Sequence, residues 1–298
     1  MIRAGVIGLG VGEQHALAYQ ALPGVELRAV ADIDPIHLDG VANRLGVARR
    51  FTEWRKVTED PDIDVVSICS WDDAHAEQAI SAFENGKHVM VEKPLCLNRQ
   101  DAERVLRAQQ DSGKRITSNL ILRRYPIFDE LQRSIKAGVY RVFCIEAMYV
   151  HDILWKLTHG WRSRMPGYSV TYGGGVHMID LIRWLIGEEV REVESISEGI
   201  ATTSHILEFQ SGLIGKVLAT FDGGHFAHHL TVYGTNFIQH DGPARVSKGA
   251  LIPGFIAAIR ENREPEVSAR DVFRVMDICF ACVEAVEQRR TITVSYQI

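Results

Sequence analysis

The sequence predicts an α/β protein that begins with a doubly wound parallel sheet, and three observations indicate this fold. Apolar runs alternate with stretches of helical spacing along the first 120 residues. The runs show little polar alternation, which is typical of strands that helices cover on both faces. The first run ends in a glycine-rich turn, Gly8-Leu9-Gly10-Val11-Gly12. Sheets of this kind bind ligands at the carboxyl ends of their strands.

The predicted elements of this half follow one another as strand, loop and helix. The first strand is Ile2 to Ile7, and the others are VELRAVADID, IDVVSICS, KHVMVEK and RITSNL. The predicted helices are EQHALAYQALPG, PIHLDGVANRLG, AHAEQAISAFENG and RQDAERVLRAQQDSG. We expect Gly46 to end the second helix and Asn98 to cap the fourth, because glycine and asparagine favour those positions.

The second half predicts a different sheet. Its apolar residues alternate with polar ones and are broken by turn signals, which is typical of strands with one exposed face. These strands are VYRVFCIEAMYVHD, REVESISE, ATTSHILEFQ, LIGKVLATFDG and HLTVYGTN. We therefore expect two domains, residues 1–120 and residues 121–298, because 298 residues are long for a single core.

Composition limits the partners and the compartment. Apolar residues make up 46% of the chain, charged residues 24%, and the net charge is −5, which gives no case for binding nucleic acid or an anionic membrane. No apolar run approaches the roughly 20 residues that span a bilayer. Five cysteines without a disulfide-like spacing favour the cytoplasm.

The glycine turn and Asp32 indicate a dinucleotide site. Glycines between a first strand and a first helix let the backbone approach a pyrophosphate at the helix N-terminus. The spacing departs from G-x-G-x-x-G, because Glu13 holds the third slot and Gly12 comes one residue early. Asp32 ends the second strand, where a carboxylate binds ribose hydroxyls and repels a 2′-phosphate, so NAD is favoured over NADP. A plain turn and a structural Asp before Pro35 are the alternatives.

Two motifs carry a family resemblance that runs over nearly the whole chain. Glu92-Lys93-Pro94 ends the fourth strand, and GGGVHMIDLIRWLIG, residues 173–187, opens a later helix. Together they resemble the Gfo/Idh/MocA family, named after glucose–fructose oxidoreductase, inositol dehydrogenase and a rhizopine-catabolism protein. The resemblance implies a Rossmann domain, then an α/β domain with an open, mostly antiparallel sheet. It also implies homodimers or homotetramers built on the outer face of that sheet.

The resemblance implies a proton-transfer set around Lys93 and His177. Oxidation of an alcohol requires a base within reach of the hydroxyl, and a buried lysine beside a cationic nicotinamide suits that task. His177 is expected to bind the hydroxyl or relay its proton, and Asp180, one helical turn on, to contact substrate or orient His177. We expect Lys93 and His177 to converge on one cavity. The family also has an Asp four residues before this His, where this chain has Gly173.

Further residues are assigned by position. The expected cofactor-binding residues are Gly8, Gly10, Gly12, Asp32, Ser70, Trp71, His75, Glu92, Lys93 and Asn119. The expected substrate-binding residues are His151, Asp152, Trp161, Arg162 and Tyr172. No metal is expected, because His225 and His229 share a strand face without a carboxylate or Cys at ligand spacing.

The function predicted first is an NAD-dependent dehydrogenase that acts on a polyol, a sugar or a sugar derivative. A glycosidase or lyase that uses NAD transiently, by oxidising, eliminating and reducing again, would need the same residues. A non-catalytic NAD or sugar sensor is the third alternative, because the acid is missing at Gly173. A metal hydrolase comes last.

Overall fold

A computed structural model of the protein describes residues 1–165 and 167–297. The chain forms two units. The first unit contains Met1–Asn119 and Ser247–Phe273, and the second contains Leu120–Val246 and Arg274–Gln297. The predicted division at residue 120 falls next to this junction. However, residues 247–273, which were predicted to belong to the second domain, join the first.

The first unit is built on a six-stranded parallel sheet in the order β3-β2-β1-β4-β5-β6. Strand order reverses between β1 and β4, and ligands bind at this switch point in doubly wound sheets. The strands are Ile2–Ile7 (β1), Val25–Ala31 (β2), Arg50–Phe51 (β3), Val65–Ile68 (β4), His88–Val91 (β5) and Ile116–Ser118 (β6). The short β3 was not predicted.

Five helices accompany this sheet, and local capping signals fix several of their ends. They are Leu9–Gln20 (α1), Pro35–Leu45 (α2), Arg55–Thr58 (α3), His75–Glu84 (α4) and Arg99–Ser112 (α5). Gly46 ends α2 in the left-handed conformation, and the Asn98 side chain accepts a hydrogen bond from the Asp101 N–H, both as predicted. α1 begins directly after Gly8, four residues earlier than predicted.

The second unit contains a seven-stranded sheet in the order β12-β11-β7-β10-β9-β8-β13. β7 and β10 pair in parallel, and the other neighbours are antiparallel. The strands are Val142–Val150 (β7), Val190–Glu198 (β8), Thr202–Phe209 (β9), Ile214–Thr220 (β10), Ala227–Gly234 (β11), Ile238–His240 (β12) and Ile292–Thr293 (β13). The predicted fold class, a parallel sheet followed by a mostly antiparallel one, is confirmed.

The helices of the second unit lie against this sheet or flank it. They are Pro126–Lys136 (α6), Trp155–Thr158 (α7) and Val176–Ile186 (α8), and the short turns are 3₁₀ at Ile121–Arg124 and at Trp161–Arg164 and π-helical at Thr171–Gly175. α8 is buried along most of its length and packs against β7 and β10. Its apolar faces therefore anchor His177, which lies at its start.

Two further helices follow β12, and the first of them explains why residues 247–273 join the first unit. They are Ile252–Arg260 (α9) and Ala269–Gln288 (α10). α9 packs against α1 and β5, and the Thr117 hydroxyl donates a hydrogen bond of 2.9 Å to the Val267 carbonyl oxygen. Within residues 1–165 and 167–297, no helix combines the length and the apolar character that a membrane span requires.

Candidate cofactor and catalytic residues

Different physical constraints favour glycine at the three glycine positions of the turn after β1. Gly8 has a φ of 80°, and a Cβ there would lie 2.5 Å from the Cys69 carbonyl oxygen. A Cβ at Gly12 would lie 2.9 Å from Val6 Cγ1, so Gly12 supplies the close helix–strand approach despite its early position. A Cβ at Gly10 would meet no atom within 4 Å. Gly10 therefore keeps space open at the N-terminus of α1, which suits a pyrophosphate.

Asp32 lies at the carboxyl end of β2 and binds the backbone of the glycine turn. Its Oδ2 atom accepts a 2.7 Å hydrogen bond from the Leu9 N–H, and its Oδ1 atom accepts one of 3.0 Å from the Asp34 N–H. Asp34, not Asp32, caps α2. Asp32 is half-buried, and each of its oxygens has a second lone pair for a ribose hydroxyl.

Glu92 and Lys93 directly follow β5, and the carboxylate of Glu92 is enclosed. Glu92 is 8% exposed, and its Oε1 atom accepts a 2.5 Å hydrogen bond from the Asn119 side-chain amide. Burial raises the pKa of Glu92, but the contact with His15 and the positive charges of Lys248 and Lys93 outweigh burial and lower this pKa to about 2. Lys93 itself is half-buried. An ionised carboxylate therefore lies beside the predicted catalytic lysine.

His75 ties the Glu92-Lys93-Pro94 turn to the end of β4. It is fully buried at the start of α4. Its Nδ1 atom lies 2.7 Å from the Pro94 carbonyl oxygen, and its Nε2 atom lies 3.2 Å from that of Ser70. The Ser70 hydroxyl donates to Gln78 Oε1 at 2.7 Å, and Trp71 is 39% exposed. These contacts give His75 a structural role.

In the second unit, His177 is the second residue of α8, which directly follows the π-helical turn Thr171–Gly175. Such turns are frequent at functional sites. His177 is 5% exposed, and the Tyr149 ring stacks on it at 6.2 Å between centroids and 21° between planes. A Cβ at Gly174 would lie 2.4 Å from Tyr149 Cδ1. Gly174 thus makes room for the ring that packs against His177.

Gly173, where the family has an acid, is closed to any side chain. A Cβ there would lie 2.5 Å from Phe221 Cζ and 2.9 Å from the Tyr168 hydroxyl. Aromatic side chains occupy the space that an Asp at this position would need. The departure from the family pattern is therefore part of the packing of this unit.

Asp180 forms a bidentate ion pair with Arg123 of the 3₁₀ turn. Arg123 Nε donates to Asp180 Oδ2 at 3.0 Å, and Arg123 Nη2 donates to Oδ1 at 2.5 Å. The two side chains are 2% and 1% exposed. Both carboxylate oxygens therefore bind the guanidinium, and this pairing was not predicted. A role of Asp180 in substrate binding or in orienting His177 stays a prediction.

His151 and Asp152 follow β7, and the two differ in exposure. His151 is half-buried, its Nδ1 atom lies 3.0 Å from the Tyr149 hydroxyl, and its ring packs 4.5 Å from that of Phe226. Asp152 is exposed. Burial raises the pKa of Tyr149 to about 12, although the charge of Arg162 opposes this shift. Tyr149 therefore stays a neutral hydroxyl beside His151.

The other predicted substrate-binding residues lie in and after the 3₁₀ turn at Trp161. The Arg162 guanidinium lies 4.3 Å from the Trp161 ring centroid and 5.3 Å from that of Tyr168. Tyr172 is 4% exposed and packs against Phe280 with ring centroids 6.1 Å apart. Arg162 and Trp161 are half-buried, whereas Tyr172 belongs to the interior of the unit.

His229 of β11 contacts a carboxylate that the sequence spacing did not reveal. His229 Nδ1 lies 2.8 Å from Asp241 Oδ1, and the His225 ring lies 6.2 Å from that of His229. Across residues 1–165 and 167–297, no group of three or more His, Cys, Asp or Glu side chains could hold a metal ion.

Comparisons with known proteins give the chain its relatives. Residues 2–120 match a model described as an oxidoreductase family with an NAD-binding Rossmann fold, and residues 128–237 match the GFO/IDH/MocA C-terminal domain. The chain is 29% identical over 200 residues to inositol 2-dehydrogenase of Salmonella typhimurium (strain LT2). The aligned residues cover 65% of this chain and 57% of that protein. It is 28% identical over 234 residues to myo-inositol 2-dehydrogenase of Thermotoga maritima, with coverages of 72% and 67%.

The chain thus spans a little over half the length of the Salmonella protein. A solved structure of levoglucosan dehydrogenase, in complex with NADH and levoglucosan, matches with a TM-score of 0.89 at 23% identity over 99% of both chains. At this identity the likeness shows the fold. The two family models together cover most of the sequence, and the chain therefore belongs to the Gfo/Idh/MocA oxidoreductase family.

Proposed function

We propose that the protein is an NAD-dependent dehydrogenase that acts on a secondary alcohol of a polyol, a sugar or a sugar derivative. The observation that carries this proposal is the placement of Lys93 at the carboxyl end of β5, directly after the ionised, buried Glu92. Ligands bind at strand ends of this kind in doubly wound sheets. Two relatives are named inositol 2-dehydrogenase and levoglucosan dehydrogenase. Inositol and levoglucosan are both polyhydroxylated ring compounds, which supports this substrate class.

The first unit offers a fitting place for NAD. The open space at Gly10 and the N-terminus of α1 would take the pyrophosphate, and Asp32 would accept hydrogen bonds from ribose hydroxyls. A carboxylate at the end of β2 repels a 2′-phosphate, so we propose NAD and not NADP. When bound, NAD supplies the acceptor for the hydride.

Lys93 is proposed as the general acid/base. Loss of a hydride from the carbon of an alcohol requires that the hydroxyl proton leave as well, and a neutral amine takes that proton. In the reverse direction the protonated amine returns it. His177 is proposed to bind the reacting hydroxyl or to relay its proton, and Asp180 to hold the start of α8 through Arg123.

Substrate recognition is proposed to involve the polar side chains that follow β7. His151 is half-buried beside the Tyr149 hydroxyl, and Arg162 lies over two aromatic rings. Imidazole, guanidinium and carboxylate groups all form hydrogen bonds with sugar hydroxyls. We keep Asp152, Trp161 and Tyr172 as predicted members of this set.

A test uses the purified protein with NAD and a panel of polyols and sugars, and measures NADH by its absorbance. Lys93→Ala is expected to abolish NADH formation while NAD still binds, because the base is lost but the glycine turn is intact. Lys56→Ala, at an exposed lysine of α3, is the matched control and should retain activity. Turnover that survives Lys93→Ala would remove Lys93 from the mechanism.

The same panel separates two of the three alternative functions predicted from the sequence. Cofactor that stays bound through purification, with substrate consumed but no net NADH released, would indicate a glycosidase or lyase that oxidises transiently. Binding of NAD and a sugar without turnover or isotope exchange would indicate a sensor. Homodimers or homotetramers are proposed on the outer face of the second sheet, and light scattering measures them. The cytoplasmic location stays a prediction.

A further inference from the structure

A chain of buried polar side chains crosses the first unit, and the catalytic proposal does not use its central member, His15. Tyr19 and His15 project from α1, and the Tyr19 hydroxyl lies 2.9 Å from Ser67 Oγ. Ser67 Oγ lies 3.2 Å from His15 Nδ1, and His15 Nε2 lies 3.5 Å from Glu92 Oε1. Tyr19, Ser67 and His15 are fully buried. The chain therefore links the helix after the glycine turn to the end of β5.

Counting donors assigns the proton at His15 Nε2. The Asn119 amide has two N–H groups, which donate to Glu92 Oε1 at 2.5 Å and to the Lys248 carbonyl oxygen at 3.0 Å. The amide nitrogen also lies 3.3 Å from His15 Nε2, but both of its N–H groups are already used, so it does not donate to that ring nitrogen. Nε2 lies beside an ionised carboxylate, which attracts a ring nitrogen that carries a hydrogen and repels one that carries a lone pair. The ring hydrogen is therefore assigned to Nε2. At 3.5 Å the contact is long for a hydrogen bond, so it is chiefly electrostatic.

Glu92 transmits this contact to Lys93. Glu92 Oε2 accepts a 3.3 Å hydrogen bond from the Lys93 backbone N–H, while Oε1 receives Asn119 and His15. The ionisable groups that act electrostatically on or with this carboxylate are His15, Cys69, Lys93 and Lys248. Removal of His15 would take one of these two contacts from Oε1.

The segment that carries Lys248 is fixed on the same helix. The Lys248 backbone N–H donates to Gln14 Oε1 at 3.0 Å, and a Cβ at Gly249 would lie 2.6 Å from Ala18 Cβ. His15 projects from the same helix as Gln14 and Ala18, and no other side chain of α1 approaches Glu92 among the described contacts. Replacement of His15 leaves the contacts of Asn119 with Glu92 and Lys248, and that of Lys248 with Gln14, in place.

We propose that His15 is a positioning residue that holds the Glu92 carboxylate in place and thereby sets the position and the charge state of the Lys93 amine. This inference rests on the proposed role of Lys93. The reason is geometric: the ring bridges Ser67 and Glu92, and Glu92 holds the backbone of Lys93. Polar groups in such outer positions orient reactive side chains and affect rates strongly when they are lost.

The experiment measures the reactivity of Lys93 without any substrate. Competitive acetylation of the purified protein across a pH series, read by mass spectrometry of the Lys93 peptide, gives the pH midpoint at which the amine becomes reactive. In Glu92→Gln the negative charge that favours the ammonium form is lost, so the midpoint should fall by about one unit. His15→Asn should shift it in the same direction by about half as much, because water then enters and weakens the attraction.

His15→Gln is the matched control. The glutamine amide reaches the position of Nε2 and restores a donor to Glu92, whereas the shorter asparagine amide reaches only the position of Nδ1. We expect the wild-type midpoint in His15→Gln. A role of His15 in packing alone would affect both variants alike. An unchanged midpoint in His15→Asn, or equal midpoints in the two His15 variants, would overturn the proposal.

A second variant covers the case in which His15→Asn does not fold, as circular dichroism would show. Ser67→Ala leaves the ring but removes the partner of Nδ1, and should lower the midpoint less than Glu92→Gln; no shift would also overturn the proposal. If the dehydrogenase activity is found, kcat measured at a pH above both midpoints, where the amine is neutral in both proteins, should fall on the order of tenfold in His15→Asn, because the amine is displaced, with little change in KM for NAD. If no activity is found, the labelling still decides the role of His15, so the two proposals fail separately.

Discussion

Replacement of Asp180 by alanine tests whether the Arg123–Asp180 pair holds the start of α8. The substitution removes the hydrogen bonds of 3.0 and 2.5 Å between the two side chains, and it takes the Asp180 carboxylate from a guanidinium whose side chain is 2% exposed. Loss of one partner of a buried ion pair costs about 3–5 kcal/mol, because the remaining charge stays desolvated. We expect a loss of that size in the free energy of unfolding.

The assay is urea denaturation followed by tryptophan fluorescence, since Trp184 of α8 lies 5.8 Å from the Arg123 guanidinium. Asp129→Ala is the control, because it breaks an Arg–Asp pair of 3.1 Å whose side chains are 70% and 43% exposed. That loss should stay below about 1 kcal/mol. Arg123→Met combined with Asp180→Leu should recover most of the stability, since both charges then disappear. Equal losses in Asp180→Ala and Asp129→Ala would refute the reasoning.

Two further predictions concern pH and packing. The pKa of Glu92 is about 2 against an ordinary 4.5, so its ionisation stabilises the fold above pH 4.5 by about 3 kcal/mol, and this is lost as the pH falls towards 2. Glu92→Gln should therefore flatten the fall in urea midpoint across this window, and an unchanged slope would contradict the assignment. Gly173→Ala should lower the free energy of unfolding by about 1–3 kcal/mol, because its Cβ would lie 2.5 Å from Phe221 Cζ. Gly175→Ala, whose Cβ would meet nothing closer than 3.6 Å, is the control, and equal melting temperatures in the two variants would contradict the packing argument.

The sequence predicted those helix ends correctly that are determined by a few neighbouring residues. Gly46 ends α2 and Asn98 caps α5, because a left-handed residue and an N-cap are properties of a few neighbouring residues. The two-residue strand Arg50–Phe51 and the four-residue helix Arg55–Thr58 are too short to show a period. Their place is fixed by pairing with β2 and packing on α4, which sequence patterns do not contain.

The candidate residues divide in the same way. Lys93 and His177 stand in recognisable motifs, but the partners of their motif neighbours Glu92 and Asp180 are distant in sequence. His15 reaches Glu92 across 77 positions in the chain, and Arg123 reaches Asp180 across 57. An arginine within the apolar run NLILRRYP was a signal that a buried partner must exist, although it could not identify Asp180. The contacts of Tyr149 with His151 and His177 could not be predicted, because an aromatic residue on a strand is common and gives no specific signal.

The double attachment of Asp32 has a consequence for any attempt to change the proposed preference for NAD over NADP. Substituting the acid to admit a phosphorylated ribose would also remove the acceptor for the Leu9 N–H, at the residue where α1 begins. Such a variant would alter both selectivity and the geometry of the glycine turn. Redesign would do better to keep this carboxylate and add a basic side chain at the exposed Ile33 or Ile36.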